Sequence, residues 1–328
     1  MWTLTLPRSL HRGACVLGTL GLLAGCAPGS MTTQAGRIGS DDGTDSCRRE
    51  LVALDSTGNF FAEDIIKGAA IGAIGGAVLG GLAGGGRGAL IGAAAGAVAG
   101  GAGGYYSALQ NQQRDQAGLL TRVQSDLQAE GVQINKTQIA FNQLAECRFN
   151  QARAIRAAAG TGQMPKPYAQ QQMTVVREHA KRDIALARLI DGKIQERGQQ
   201  FDLAADKVAP GSASRIAASQ SRPVRTVVIR RPVVVKLLPS STAPEVAKME
   251  IRDKVTVRSV QGDYALVETP SGTRGYAPVS SLSIPPARES SGSDVRSLAG
   301  SNARSRDNFA QSVAVVESAS AANFEIAG

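Results

Sequence analysis

The chain has 328 residues and a formal net charge of +9, with 38 Gly, four Cys and two His. More than one residue in nine is Gly, against a usual share of about 7%, and aromatic residues make up only 4%. This composition argues against one large, densely packed core, although the length allows two or three domains. The glycines lack the three-residue period of collagen, and the few Cys and His argue against disulfide scaffolds, most metal sites and most histidine-base enzymes.

Residues 1–25 have the features of a bacterial secretory signal. Arg8 and Arg12 precede an apolar stretch that is too short to span a bilayer as an ordinary helix. The stretch ends in Leu-Ala-Gly before Cys26, which resembles the lipobox of bacterial lipoproteins, whose cysteine receives the lipid anchor. By this resemblance, Ala27 after the cysteine implies the outer membrane. The alternative is a chance cysteine behind an ordinary signal peptide.

Cleavage before Cys26 removes Cys15 and leaves Cys47 and Cys147 as the unmodified cysteines. Because the exported compartment is oxidising, we predict that these two form a disulfide. The alternative is a pair of free, buried thiols. The bond would close a loop of about 100 residues, which contributes about 4–5 kcal/mol in the chain-entropy model.

Residues 68–104 carry glycine at every fourth position without a gap. The register consists of Gly68, Gly72, Gly76, Gly80, Gly84, Gly88, Gly92, Gly96, Gly100 and Gly104. Glycine inside a helix costs about 1 kcal/mol relative to alanine. Repeating that cost in register requires a compensating gain, and close approach of helix backbones supplies one. Such stripes are typical of paired membrane helices.

The glycine-rich stretch 84–88 interrupts this segment and contains its only charge, Arg87. Two arms of about 17 residues, each about 25 Å long, would form a hairpin that enters and leaves a membrane on one side. That length suits a thin membrane, such as the bacterial outer membrane. The alternatives are a flexible Gly/Ala linker and a buried hairpin in a soluble protein.

From Gly68 through Gly104 the segment resembles the glycine-zipper outer-membrane lipoproteins of the surface-antigen type. Members of that group carry a similar lipobox upstream. The resemblance implies a lipid-anchored protein of the cell envelope, with Gly68 through Gly104 packing in or on the outer membrane.

Residues 105–209 contain two heptad-like runs, which predict an antiparallel, coiled-coil-like helical hairpin. The runs are Leu120, Leu127, Ile134, Phe141 and Ile155, interrupted by Arg148, and then Met173, Ala180, Ala187, Ile194, Phe201 and Val208. Residues 160–167 contain two prolines and separate the runs. Glu178, His179 and Asp183 are expected on the solvated surface, and His179 without a second His does not predict a metal site.

A linker is predicted over 210–222. The adjoining stretch 221–236 has five basic residues and no acid. Such a strip keeps a linker soluble or, alternatively, contacts anionic glycan, lipid or an acidic protein.

Short β-type runs at 233–238, 254–260 and 264–269 are separated by turn residues. Together with the Gly-Tyr of Gly275-Tyr276 they resemble the bacterial SH3-like (SH3b) domain. The resemblance implies a small all-β barrel over 223–285.

Within this SH3-like region, Tyr264 and Tyr276 are candidates for a ligand groove. Core packing is the favoured alternative for Tyr276. The family's usual Gly-Trp is replaced by Asp263-Tyr264, so the fold is better supported than any ligand.

The final stretch, 286–328, is rich in Ser, Arg and Ala and is predicted to be mostly disordered, with a short helix possible around 306–318. The predicted organisation is a multi-part α + β chain: signal peptide 1–25, anchor and lead-in 26–67, glycine-zipper hairpin 68–104, helical hairpin 105–209, linker 210–222, SH3-like barrel 223–285 and disordered tail 286–328.

The favoured function is a non-enzymatic, structural envelope protein facing the periplasm. Its partners would be membrane lipid and either further copies of the chain or another envelope protein. The alternatives are a peptidoglycan-binding tether and an accessory subunit of a secretion assembly. No catalytic residue, cofactor, metal or nucleic-acid partner is predicted.

Overall fold

The computed structural model describes residues 33–62, 104–112, 115–221, 224–287 and 292–325. Within these residues the chain forms eight helices and one antiparallel sheet of six strands. The helices are α1 (Gln34–Ile38), α2 (Arg48–Ala62), α3 (Gly104–Gln112), α4 (Gln116–Gly160), α5 (Lys166–Val208), α6 (Ser212–Gln220), α7 (Val279–Leu282) and α8 (Val295–Asn323). The strands are β1 (Arg225–Val228), β2 (Val233–Lys236), β3 (Glu245–Met249), β4 (Lys254–Gln261), β5 (Tyr264–Glu268) and β6 (Arg274–Pro278).

The predicted helical hairpin is confirmed by α4 and α5, which pack against each other along their lengths. Asp115 caps the start of α4 by accepting a hydrogen bond from the Gly118 N–H at 2.7 Å. At the far end Gly162 has φ of +73°, a left-handed conformation suited to glycine. Pro165 and Pro167 then begin α5, because proline is tolerated in the first turn of a helix.

The heptad pattern is confirmed in full on α5, where all six members of the run are buried. On α4 it is wrong at its first position, since Leu120 is 37% exposed. Leu119 is buried instead, and Val123 and the predicted Leu127 are buried after it. Two successive spacings of four residues interrupt the alternating three and four of a heptad at the start of this helix.

Helix α2 packs against both α4 and α5. The predicted disulfide between Cys47 and Cys147 is confirmed, and it joins the start of α2 to the middle of α4 with a Cα–Cα distance of 5.9 Å. Near the other end of α2, Gly58 lies against Ile190 of α5. Helix α2 therefore adds a third helix to the hairpin and is covalently attached to it.

The predicted linker is wrong for residues 212–220, which form α6. The Asp206 carboxylate accepts hydrogen bonds from the N–H groups of Gly211 and Ala213, which satisfies the exposed donors at the start of this helix. One side of α6 packs on α8. The Ser/Ala-rich composition therefore reflects close helix packing at this position.

The predicted disordered tail is also wrong, because residues 295–323 form the 29-residue helix α8. Asp294 caps its start by accepting from the N–H groups of Arg296 and Ser297. Helix α8 packs against α4, α5 and α6. Phe309 meets Phe141 of α4 with ring centroids 5.7 Å apart, and Phe324 meets Phe149 at 4.8 Å.

The strand order in the sheet is β1-β4-β5-β6-β2-β3. The three predicted β-type runs correspond to β2, β4 and β5, and the segment around Tyr276 forms β6. Strands β1 and β3 were not predicted. They lie at the two edges, so the sheet is open and the predicted closed barrel is not confirmed.

Helix α8 joins the sheet to the helical part of the protein. Ser259 donates a hydrogen bond to Gln311 at 2.8 Å, and the Arg274 N–H donates to Ser318. Asn323 donates to the Val246 carbonyl. The helix predicted as a tail therefore organises the contact between the two parts of the described structure.

Candidate functional site: the base of the glycine segment

Most of the sequence-predicted site residues lie outside the described residues. This applies to the lipidation candidate Cys26 and to the zipper glycines from Gly68 to Gly100. Gly104, the last glycine of the register, is the first residue of α3. The structure therefore describes the two chain ends that flank residues 63–103.

Both ends of this segment reach the same part of α5. Before it, Phe60 and Phe61 lie in the last turn of α2 with ring centroids 5.1 Å apart. After it, Tyr105 lies in the first turn of α3. The Tyr105 ring packs on Phe201 of α5 with centroids 4.9 Å apart.

Arg197, one helical turn before Phe201 on α5, connects the two ends. Its guanidinium carbon lies 4.8 Å from the ring centroid of Phe60 and 5.8 Å from those of Phe61 and Phe201. A guanidinium within about 6 Å of a ring centroid is attracted by the ring quadrupole. One arginine thus contacts rings that precede the glycine segment and the ring on which Tyr105 packs.

A buried carboxylate holds Arg197 in place. Glu130 of α4 is buried and accepts from the Arg197 guanidinium, with an Nη2–Oε2 distance of 2.9 Å. Burial raises the pKa of Glu130, although the nearby charge of Arg197 opposes that shift. The pair fixes the guanidinium between the rings, since a buried carboxylate that lost its partner would be left uncompensated.

Tyr105 is anchored in the same way. Its hydroxyl donates to Asp126 of α4 at 2.6 Å, and Arg122 donates to the same carboxylate at 3.0 Å. Burial, together with the hydrogen bond to Asp126, raises the pKa of Tyr105, so the phenol stays protonated as a donor. The chain end that follows the glycine segment is therefore fixed to α4 as well as to α5.

A second charged cluster lies beside the disulfide. Arg148, which interrupts the predicted heptad, is only 2% exposed. It donates to Asp45 with an Nη2–Oδ2 distance of 2.8 Å and to Asp183 with an Nε–Oδ2 distance of 2.6 Å. Burial lowers the pKa of Arg148, but its hydrogen bonds with the two carboxylates outweigh burial and raise it. This arginine ties the segment before α2 to the middle of the hairpin.

The expected solvent exposure of His179 and Asp183 is wrong. Asp183 is buried against Arg148, and His179 is partly buried, with its Nδ1 3.6 Å from Asp45 and 3.3 Å from Arg148. Glu178 is exposed as expected and pairs with Lys181. Among the described residues no cluster of His, Cys, Asp or Glu has an arrangement that could hold a metal ion.

The two tyrosines proposed for a groove on the sheet have different surroundings. Tyr276 is fully buried, and its hydroxyl lies 3.3 Å from Ser312 of α8. This corresponds to core packing, the alternative favoured for Tyr276, and leaves no groove at that ring. Tyr264 is half-buried at the start of β5.

The base of the glycine segment includes residues that sequence reasoning missed. Arg197 and Glu130 are 67 positions apart, and no local pattern connects them. One available signal was the pair of aromatic dipeptides, Phe60-Phe61 and Tyr105-Tyr106, that brackets the segment. Tyrosine is enriched where a chain meets the membrane–water boundary, and the Tyr105-Tyr106 pair fits that preference.

Comparison with known proteins identifies one similarity. Residues 52–108 match the family model described as YMGG-like Gly-zipper, so the match begins within α2, crosses the segment and ends in α3. No curated protein and no solved structure matches the chain. In the part of the chain that the structure describes, no helix combines the length and hydropathy needed to cross a bilayer. The chain thus carries a glycine zipper, which points to a membrane-associated or envelope role.

Proposed function

We propose that this protein is a non-enzymatic, lipid-anchored component of the bacterial envelope, attached through Cys26. Residues 68–104 pack as a helical hairpin in or on the outer membrane, and the described helices and sheet face the periplasm. The role is structural: the folded part presents the hairpin to lipid and contacts a further copy or another envelope protein.

The observation that carries this proposal is the meeting of both ends of the segment at Arg197 and Phe201. A hairpin that enters and leaves a membrane on one side requires its ends to be close together. Phe60 and Tyr105 satisfy that requirement through contacts with adjacent turns of one helix. A flexible linker has no such requirement, so the geometry favours the hairpin.

The sheet supplies the second element of the proposal. The β2–β3 hairpin, the antiparallel β4–β5–β6 order, the pairing of Lys236 with Tyr276 and the short helix α7 after β6 support an SH3-like module. Because α8 covers Tyr276, contact with a periplasmic partner would use other surfaces of this module, among them the half-buried Tyr264.

The zipper is tested apart from the lipid anchor by exporting the chain with Cys26→Ser behind an ordinary cleavable signal. We expect this unlipidated protein to stay with the membrane fraction after a carbonate wash. Gly76→Leu with Gly80→Leu should release it into the soluble fraction, because bulky side chains in the register separate the two arms.

The matched control is Gly75→Leu with Gly81→Leu, which adds the same side chains one position outside the register. This control should remain with the membrane. Complete extraction of the unlipidated parent by carbonate would contradict the hairpin, and equal release of both double variants would contradict a role for the four-residue register.

A further inference from the structure

Aromatic side chains are concentrated at the base of the glycine segment. The chain has seven Phe and five Tyr, and five of these rings belong to what we call the aromatic collar: Phe60, Phe61, Tyr105, Tyr106 and Phe201. Three of them, Phe61, Tyr105 and Phe201, are buried. The other two, Phe60 and Tyr106, are partly buried. Each end of the segment therefore has one ring that reaches the surface.

The two partly buried rings are held by contacts with the fold. Phe60 lies under the Arg197 guanidinium and forms a T-shaped pair with Phe61. Tyr106 follows the anchored Tyr105 on α3 and packs on the buried cluster that includes Phe201. A tyrosine favours the boundary between lipid and water because its ring is apolar and its hydroxyl is polar, and at Phe60 the adjacent Arg197 supplies the polar group.

We propose that Phe60 and Tyr106 insert into the lipid headgroup layer, so that the collar sets the depth at which the folded part meets the membrane. This inference rests on the proposed function, since it takes residues 68–104 to be in contact with lipid. The collar lies where those residues leave and re-enter the described fold.

The charges around the collar indicate which lipids it requires. Arg197 is paired with Glu130, and Arg122 is paired with Asp126. Both of these cations, which lie within the described residues, already have carboxylate partners, so neither needs an anionic headgroup to balance its charge. The collar's contact with lipid should therefore depend on the rings and should occur on zwitterionic bilayers.

The test uses single-tryptophan variants, since the only tryptophan of the chain is Trp2, within the signal peptide. Phe60→Trp and Tyr106→Trp are made separately in the unlipidated mature chain with Cys26→Ser. The control is Tyr168→Trp at the start of α5, where the native side chain is 51% exposed. Each protein is mixed with phosphatidylcholine vesicles, and brominated phosphatidylcholines report the depth of the indole.

With vesicles, we expect the emission of Phe60→Trp and Tyr106→Trp to shift to shorter wavelength. Bromine near the headgroup should quench it more strongly than bromine deep in the acyl chains. The emission of Tyr168→Trp should not change. Replacing both rings by serine should weaken vesicle partition about tenfold, as expected for losing two half-buried aromatic contacts, whereas Tyr168→Ser should have no effect. Far-UV circular dichroism confirms that the variants fold.

Flotation on a density gradient separates the two proposals. If the parent protein floats with vesicles but the indole emission of Phe60→Trp and Tyr106→Trp does not change when vesicles are added, the collar proposal is overturned and the hairpin stands. If the parent does not float, the proposed function fails and the collar proposal fails with it. If Tyr168→Ser weakened vesicle partition as much as the double serine variant, the collar proposal would also be overturned.

Discussion

Helices α2 and α8 both pack against the α4–α5 pair, and each interface contains a buried arginine. At α2, Arg148 is paired with two carboxylates, Asp45 and Asp183, beside a disulfide. At α8, Arg306 is paired with Asp202 alone, and its Nη1 has no hydrogen-bond partner in the described part of the chain.

The two interfaces therefore hold their helices by different means. The Arg148 guanidinium is paired with a carboxylate on each side and lies beside the disulfide, so α2 holds the base of the glycine segment firmly. The Arg306 contact instead depends on a close fit over Gly198, whose added Cβ would lie 2.5 Å from the Arg306 Nε. We therefore expect α2 to be the more firmly attached of the two.

The largest expected effect comes from removing the disulfide. Cys47→Ser with Cys147→Ser should lower the free energy of unfolding by about 4–5 kcal/mol, because a loop of about 100 residues is no longer closed in the unfolded chain. Urea denaturation of the detergent-solubilised protein, followed by circular dichroism, measures this. Reductant should lower the free energy of unfolding of the parent by the same amount and leave that of the double variant unchanged. If full reduction does not change the stability of the parent, the disulfide does not stabilise the fold.

The two arginines are compared directly by replacing each with methionine. Arg148→Met leaves Asp45 and Asp183 without their partner and should cost about 3–5 kcal/mol. Arg306→Met should cost less, about 1–3 kcal/mol, because it leaves one carboxylate, Asp202, without its partner rather than two. The same urea titration measures both, and a larger loss for Arg306→Met would reverse the ranking of the two interfaces.

The fit of α8 is tested with two glycines of α5. Gly198→Ala should destabilise the protein by about 1–3 kcal/mol, since the buried Arg306 must move to admit the methyl group. Gly192→Ala is the matched control: nothing lies within 4 Å of its added Cβ, so it should stabilise the helix by about 0.5–1 kcal/mol. Similar stabilisation by both would show that Arg306 adjusts freely and that the α8 interface is loose.

These arginines also explain what could be predicted from the sequence. The α5 run from Met173 to Val208 was predictable because every member is apolar. Helix α8 follows the same heptad at Val295, Ala299, Asn302, Arg306, Phe309, Val313 and Val316, all buried. This heptad is hard to recognise in the sequence because two of its buried positions are polar. Asn302 packs over Gly131 of α4 and Arg306 packs over Gly198 of α5, where the absence of a side chain leaves room for them. Those complementary glycines are more than one hundred positions away in the chain, so no local pattern could reveal them.

Prediction from the sequence had a similar limit at the base of the glycine segment. The disulfide was predictable from the redox environment and from the two remaining cysteines, whereas the hairpin predicted from the glycine register lies outside the described residues. The positions of Arg197 and Glu130 could not be derived in that way. An arginine on a polar helix is expected in water, and its burial here depends on the rings of α2 and on Glu130 of α4.

The last expected effect concerns pH at the interface between α5 and α8. Burial, together with the charge of Asp307 on α8, raises the pKa of Asp191 to about 6, although a hydrogen bond from Gln195 opposes the shift. The native state therefore holds a proton on Asp191 that the unfolded chain has already released between about pH 4 and 6, so this group makes the protein less stable as pH rises through that range.

Asp191→Asn removes this dependence while keeping an oxygen that accepts from Gln195. The variant should nearly match the parent at pH 4 and exceed its free energy of unfolding by about 2–3 kcal/mol at pH 7. Urea titrations of parent and variant at both pH values measure the difference, in which the contributions of other titrating groups cancel. A difference that stays constant between pH 4 and pH 7 would mean that Asp191 does not titrate there and that its burial does not make the protein less stable as pH rises.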